Sequence, residues 1–167
     1  MAKEGSRLAI DPFDPPKHLP LRKFDIHQTL RTLAQSLQDD HRPPRVAVIL
    51  DFATELPQTR VDGQQIKNVL FALFLRSQNA ILESKKAYGT ITVRTGVKGG
   101  KIQVSITDDG MADLMRTTVA TFVEETPGRL CLTTCAEIVQ DQAGELYAWR
   151  PRCAPFTTIL MDLPIEK

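Results

Sequence analysis

A chain of 167 residues in which 21 Lys and Arg stand against 20 Asp and Glu has a formal net charge of +1, so no basic field argues for nucleic acid and no acidic tail for a basic partner. The length suits one domain that buries its core without disulfides or metal. No apolar run reaches the roughly 20 residues of a membrane span, and the first residues lack the apolar core of a signal peptide, so the expected setting is the cytoplasm without a membrane anchor.

Pro12, Pro15, Pro16 and Pro20 fall in the first twenty residues and block regular helix and sheet pairing. Residues 1–20 therefore read as a proline-rich tail, and 21–167 as the folded domain. "LRKFDI" reads as a short strand, and Asp25 as the N-cap of the helix "IHQTLRTLAQSLQ", where Ile26, Leu30, Leu33 and Leu37 recur at helical spacing. "RVAVILDF" is a β-branched strand, and "TELPQTRVD" returns the chain through a loop. Asp62 opens the longest helix, "GQQIKNVLFALFLRSQNAILES", whose apolar positions are too dense for a surface helix. Gly89 ends the connection after it. "TITVRTGV" and "KIQVSITD", parted by Gly99 and Gly100, form an antiparallel hairpin that runs into the acidic loop "DDG".

Past an irregular polar stretch, a helix is expected from about Pro127 to Gln142, with Thr126 as N-cap, Pro127 in its first position and Gly144 closing it. "ELYAWRP" and "FTTILMDLP" supply a last hairpin. The sum is a mixed α/β sandwich with helices on one face of the sheet. Cys131, Cys135 and Cys153 are odd in number and form no Cys-x-x-Cys pair, which speaks against a disulfide framework or a zinc site. Cys131 and Cys135, four apart, are expected to share the buried face of the last large helix as free thiols.

A longest helix placed ahead of a hairpin ending in Asp-x-Gly resembles the ATP-binding domain of sensor histidine kinases and the wider GHKL ATPase superfamily. The resemblance runs from about Leu21 to Pro164 and rests on "ELPQTRVDGQQIKNVL", "RSQNAI", "GTITVRT", "VSITDDG", "CAEIVQDQAGELYAW" and "TTILMDLP", in the family's order. It implies a two-layer α/β sandwich of the histidine-kinase ATPase type. In that family the long helix presents an Asn that holds Mg²⁺ against the ATP phosphates, with a polar or acidic residue one turn earlier that assists transfer. Setting Asp62, Ala80 and Ile81 on the family pattern places Asn68, Ala72 and Arg76 along the nucleotide-facing side, with Arg76 at the metal position and Ala72 at the assisting one. Arginine has no lone pair to give a hard, oxygen-seeking cation. A register that slides Asn68 or Asn79 onto the metal position gives up the Asp62 and Ala80 matches.

Asp108 falls where the family's Asp accepts a hydrogen bond from the adenine amino group, and Asp109 and Gly110 follow as the loop turns. Ala112 stands where a further glycine is usual. The glycine-rich run that meets phosphates with backbone N–H groups is here "PGRLCL". Gly128 is its one glycine, Pro127 has no N–H, and Arg129 and Cys131 bring side chains where the family keeps backbone bare. No glycine lies between Met111 and Thr126 to build a mobile lid.

The resemblance therefore implies a histidine-kinase-like ATPase-fold domain with a degraded nucleotide site, without catalysis of its own and without Mg²⁺. Its role would be that of a binding or regulatory module in bacterial two-component-type signalling, with a response-regulator receiver or a kinase dimer as partner. One alternative is that ATP or ADP still binds, with Asp108 and Gly110 at the base, Asn68 on the ladder, and Arg76, Gly128 and Arg129 at the phosphates. Another is a structural subunit whose pocket is filled by Met111, Met115 and Phe122. His18 lies in the tail, His27 starts the first helix and His41 lies in the loop "DDHRPP"; neither of the last two stands in the family phosphoacceptor's arrangement of an acidic neighbour and a following Pro, and the proline-rich tail cannot build the helical hairpin that carries it.

Overall fold

A computed structural model describes residues 21–41, 45–110, 131–149 and 155–166. In chain order the elements are β1 (Arg22–Lys23), α1 (Ile26–Gln38), β2 (Arg45–Asp51), β3 (Arg60–Val61), α2 (Gly63–Glu83), β4 (Tyr88–Lys98), β5 (Lys101–Asp108), α3 (Leu132–Asp141), β6 (Glu145–Trp149) and β7 (Thr157–Pro164). Five strands form one sheet in the order β2-β4-β5-β7-β6, and β1 and β3 pair in a separate two-stranded sheet. β2 lies parallel to β4, and the remaining neighbours are antiparallel. The sheet is thus mixed, with the helices packed on one face.

The two aspartates expected to start helices do so. The Asp25 carboxylate accepts from Gln28 N at 2.8 Å, and Asp62 accepts from the backbone N–H groups of Gln64 and Gln65, both at 3.1 Å. Each places a negative charge on the unpaired donors at a helix's positive end. α1 buries Ile26, Leu30, Leu33 and Ala34, and α2 buries a broader set that includes Ile66, Leu70, Leu73, Phe74 and Ile81. They pack on the alternate residues of the strands, Ile91 and Val93 of β4, Ile102, Val104 and Ile106 of β5, and Ile159, Met161 and Leu163 of β7, as the two-residue strand period requires.

The side chains between them form the outer face, where Thr92, Thr107 and Thr158 stand in one row across three strands and the hydroxyls of Thr107 and Thr158 meet at 2.8 Å. The β4–β5 hairpin turns on Gly99 and Gly100, both at positive φ (59° and 74°), the pair of conformations that a two-residue turn matching the strand twist demands.

Three details differ from expectation. The loop before α2 contains the short strand β3, which pairs with β1. Gly89 lies inside β4, where a Cβ would come within 2.3 Å of the Ile81 side chain. α3 starts at Leu132 with Cys131 as N-cap, its sulfur accepting from Thr134 N at 3.4 Å. Of Cys131 and Cys135, the second alone therefore reaches the core, where burial pushes its thiol up to about 12. Thr126, Pro127, Cys153 and the proline-rich tail lie outside the described residues.

The end of α3 is also made differently. Ala143 takes the left-handed conformation (φ 59°), and the N–H groups of Ala143 and Gly144 bond back to the carbonyls of Gln140 and Val139 at 3.0 and 2.9 Å. This is a Schellman closure with alanine in the place glycine usually takes. No helix among the described residues is long and apolar enough to cross a membrane.

Candidate functional site

The site lies where the second half of α2 crosses the end of β5. Asp108 is the last residue of β5, and the strand's alternation turns its side chain inward with Ile102, Val104 and Ile106. An unpaired carboxylate is costly there. Arg76, four turns into α2, meets it: Nη1 donates to Asp108 Oδ2 at 2.9 Å, with the two side chains 8% and 0% exposed. The other oxygen, Oδ1, accepts from Gly110 N at 3.2 Å. Burial pushes the Asp108 carboxyl above the usual carboxylate range, while the Arg76 cation, the Ser77 hydroxyl and the Gly110 N–H pull it back.

Gly110 is required by a close approach. A Cβ there would lie 2.4 Å from the Ala80 carbonyl carbon and 2.7 Å from Ile81 N, so the loop after Asp108 rests directly on the backbone of α2. Asp109 fastens the other side of that loop. Its carboxylate accepts from Thr90 N at 3.0 Å, its N–H donates to Thr90 O at 3.3 Å, and its carbonyl accepts from Lys86 Nζ at 2.7 Å.

The remaining α2 positions are spread out. Asn68 is exposed, and its Oδ1 accepts from Gln64 Nε2 at 3.1 Å. Eight residues separate it from Arg76, about 12 Å along the axis, so it does not join the Arg76–Asp108 cluster. Ala72 lies half-buried between them. The start of α2 is tied instead to the end of α3. Asp62 N donates to Gln142 Oε1 at 2.7 Å, and Gln142 Nε2 donates to Gln65 Oε1 at 3.3 Å. Gly128 and Arg129 lie outside the described residues, as do Met111, Met115 and Phe122.

Two residues that sequence reasoning passed over belong to the cluster. Ser77 follows Arg76 on the buried face of α2, and Thr157 stands directly opposite Asp108 in the β5–β7 register. Both hydroxyls are buried without a hydrogen-bond partner among the described residues, as are Nε and Nη2 of Arg76. Ser77 was within reach of helical spacing, because Leu73, Ser77 and Ala80 share one face. Thr157 depends on strand register, which a single sequence leaves open.

At the two α2 positions that the resemblance sets toward a metal, magnesium would find no oxygen donor. A divalent cation of that hardness needs oxygen ligands, and the two α2 positions that would face it supply the methyl of Ala72 and the guanidinium of Arg76. Each Asp108 oxygen is already engaged, Oδ2 by the Arg76 guanidinium and Oδ1 by the Gly110 N–H. The sequence reading put these two residues at opposite ends of a nucleotide, and the structure puts them on one another.

This fold is found in histidine-kinase catalytic domains. A nucleotide-free form of the catalytic domain of histidine kinase ThkA superposes with a TM-score of 0.69 at 17% identity, covering 88% of this chain and 97% of that one. Histidine kinase AdeS of Acinetobacter baumannii matches with a TM-score of 0.67 at 14% identity, over 89% of this chain and 69% of that one. ThkA in complex with the response regulator protein TrrA gives 0.66 at 19% identity, over 87% and 42%. By sequence, the sensor histidine kinase ZraS of Escherichia coli K12 is 26% identical over 115 residues, 66% of this chain and 24% of ZraS. The chain thus spans about a quarter of the length of that curated relative. No protein-family model matches the chain.

Proposed function

We propose that this chain is a histidine-kinase-type ATPase domain whose nucleotide site has been replaced by an internal ion pair, and that it works as a binding or regulatory module in two-component-type signalling. The observation that carries this reading is the buried bond from Arg76 to Asp108. The residue in place of the metal-binding Asn neutralises the residue in place of the adenine acceptor, so both ends of the former chemistry are engaged with each other. Phosphoryl transfer consists mainly of positioning and neutralising the phosphates around a metal, and positions 72 and 76 offer no oxygen for that work.

What such a domain keeps is its surface. ThkA is seen in complex with a response regulator, which supports a receiver domain or a kinase dimer as the partner class. Function resides in sites more than in folds, so the test is direct. Thermal unfolding with ADP or ATP, with and without Mg²⁺, should show no shift, since a ligand that binds only the folded state must raise stability. A saturable, Mg²⁺-dependent rise would refute the reading. Calorimetric titration with receiver domains should show binding that nucleotide leaves unchanged.

A second reading, retained ATP or ADP binding without metal, has one observation in its favour. Nε and Nη2 of Arg76 carry no partner among the described residues, and they form the edge of the guanidinium that grips oxyanions in pairs. It predicts a metal-independent shift with ADP that Arg76→Lys abolishes, because lysine keeps the charge but loses the fork.

A further inference from the structure

We propose that β2 is a self-pairing edge: a second copy of this chain adds its own β2 antiparallel to the first, about a twofold axis through Val48. β2 is an outermost strand of the sheet, and among the described residues no strand pairs with its outer side. The parallel ladder fixes which backbone groups face out. Arg45 N donates to Ala87 O at 3.1 Å and Ala53 N to Thr95 O at 3.3 Å. Odd-numbered residues of β2 therefore turn their N–H and C=O groups to β4, and Val46, Val48 and Leu50 turn theirs outward. Free edges are ordinarily blunted by Pro, a central charge or a bulge. Residues 46–50 hold neither Pro nor charge, and the register with β4 runs unbroken from Arg45 to Asp51.

The residue order commits this edge to its own copy. Reversed about Val48, "RVAVILD" sets Arg45 against Asp51 of the second copy, Val46 against its Leu50, Ala47 against its Ile49, and Val48 against its counterpart. Opposite charges meet at both ends, and apolar side chains meet on both faces between them. The pairing would cover Ile49 and Leu50, which are 52% and 37% exposed. It would also bring Arg45 to an aspartate already held by Arg94 at 3.0 Å, completing an Arg–Asp–Arg row.

The axis position is consistent with the ladder, because an outward-facing residue at the centre forms a hydrogen-bonded pair with its own copy. Val48 O accepts from Gln38 Nε2 at 3.2 Å, and its second lone pair stays available. On the helix side, Leu50 of the second copy comes over Val46, at a cavity of about 650 Å³ lined by Gln38, Arg45, Val46 and Tyr88 among others. The opposite edge has no such match. β6, "ELYAW", reversed about Tyr147, sets Glu145 against Trp149 and pairs no charges.

Sedimentation equilibrium of the full chain over a range of concentrations should give twice the monomer mass at the upper end. Leu50→Lys sets a charge among apolar side chains and should raise the dissociation constant about tenfold or more. Register is tested by mixing Ala47→Cys chains with Ile49→Cys chains under mild oxidation. These positions would be a non-hydrogen-bonded pair with Cα atoms about 4.5 Å apart, within disulfide reach, and peptide mapping should recover the mixed bridge in preference to either like-with-like bridge. A monomer at every concentration would overturn the proposal. So would a dimer that shows no mixed bridge, whether or not the lysine variant folds.

Discussion

Arg76 and Asp108 meet at 2.9 Å between α2 and β5, and Arg94 and Asp51 meet at 3.0 Å across the outer face of β4 and β2. The first two side chains are 8% and 0% exposed, the second two 68% and 64%. The same pair of residue types at nearly the same distance therefore does two different jobs. Under the helices each charge would be stranded without the other, so neither residue can change alone. On the outer face water already solvates both, and the pair is free to open or to accept a third charge. The inner pair ties α2 to the end of β5, and the outer one links β4 to the edge strand β2 in solvent.

The largest effect that sharpens this contrast comes from removing one inner partner. Arg76→Ala leaves Asp108 buried without its cation and should cost about 3–5 kcal/mol, read by chemical denaturation at neutral pH. The sign of its pH dependence follows from the carboxyl. Burial already holds Asp108 above the usual range, with Arg76 the strongest opposing influence, so losing Arg76 raises it further. A folded-state pKa above the unfolded value gives stability that is present at low pH and lost as pH rises through the folded pKa. The deficit of the variant relative to the unaltered chain should therefore shrink on acidification. Replacing both residues with apolar ones, Arg76→Met with Asp108→Leu, should bring stability to within about 1 kcal/mol of the unaltered chain or above it. A double variant as damaged as the single one would break the comparison.

Next in size is Gly110→Ala. Its added carbon meets the carbonyl carbon of Ala80 at 2.4 Å, a backbone contact that no rotamer change relieves. The loop must lift from α2, at a cost of about 1–3 kcal/mol and with a longer bond from Gly110 N to Asp108. If hydrogen exchange showed the Gly110 amide no faster in the variant, the loop's seat on α2 would not be what holds that bond.

How far all this was legible differs between the same two levels. α1 and α2 were readable to within a residue because Asp25 and Asp62 are cap residues standing immediately before apolar spacing of helical period, and the β4–β5 hairpin because only a pair like Gly99–Gly100 takes that turn without strain. β1 and β3, two residues each, carry no period of their own and exist through their pairing. The start of α3 was misplaced because Pro127 is a strong local signal, whereas Cys131 caps the helix through sulfur, an acceptor that propensity rules rank low. At the site, an arginine on the dense apolar side of α2 was a visible anomaly, and a buried cation implies a partner. Which carboxylate would serve was not visible, since Asp108 lies 32 positions away on another element and the crossing of α2 over β5 is settled by side-chain packing.

The smallest predicted effect belongs to the outer pair and tests the comparison from its other end. Arg94→Ala removes a contact between two solvated groups, which typically contributes about 0.2–1 kcal/mol and less in high salt. Denaturation of the variant at protein concentrations too low for self-association should stay within that range. At high concentration the expectation changes, because the proposed row of Arg94, Asp51 and a second copy's Arg45 shares one carboxylate between two cations. Without Arg94, Asp51 is free to serve Arg45 alone, so self-association should hold or tighten slightly while monomer stability barely moves. A large stability loss at low concentration would mean that exposure does not separate the two pairs, and the contrast between the inner and outer faces would have to rest on something other than solvation.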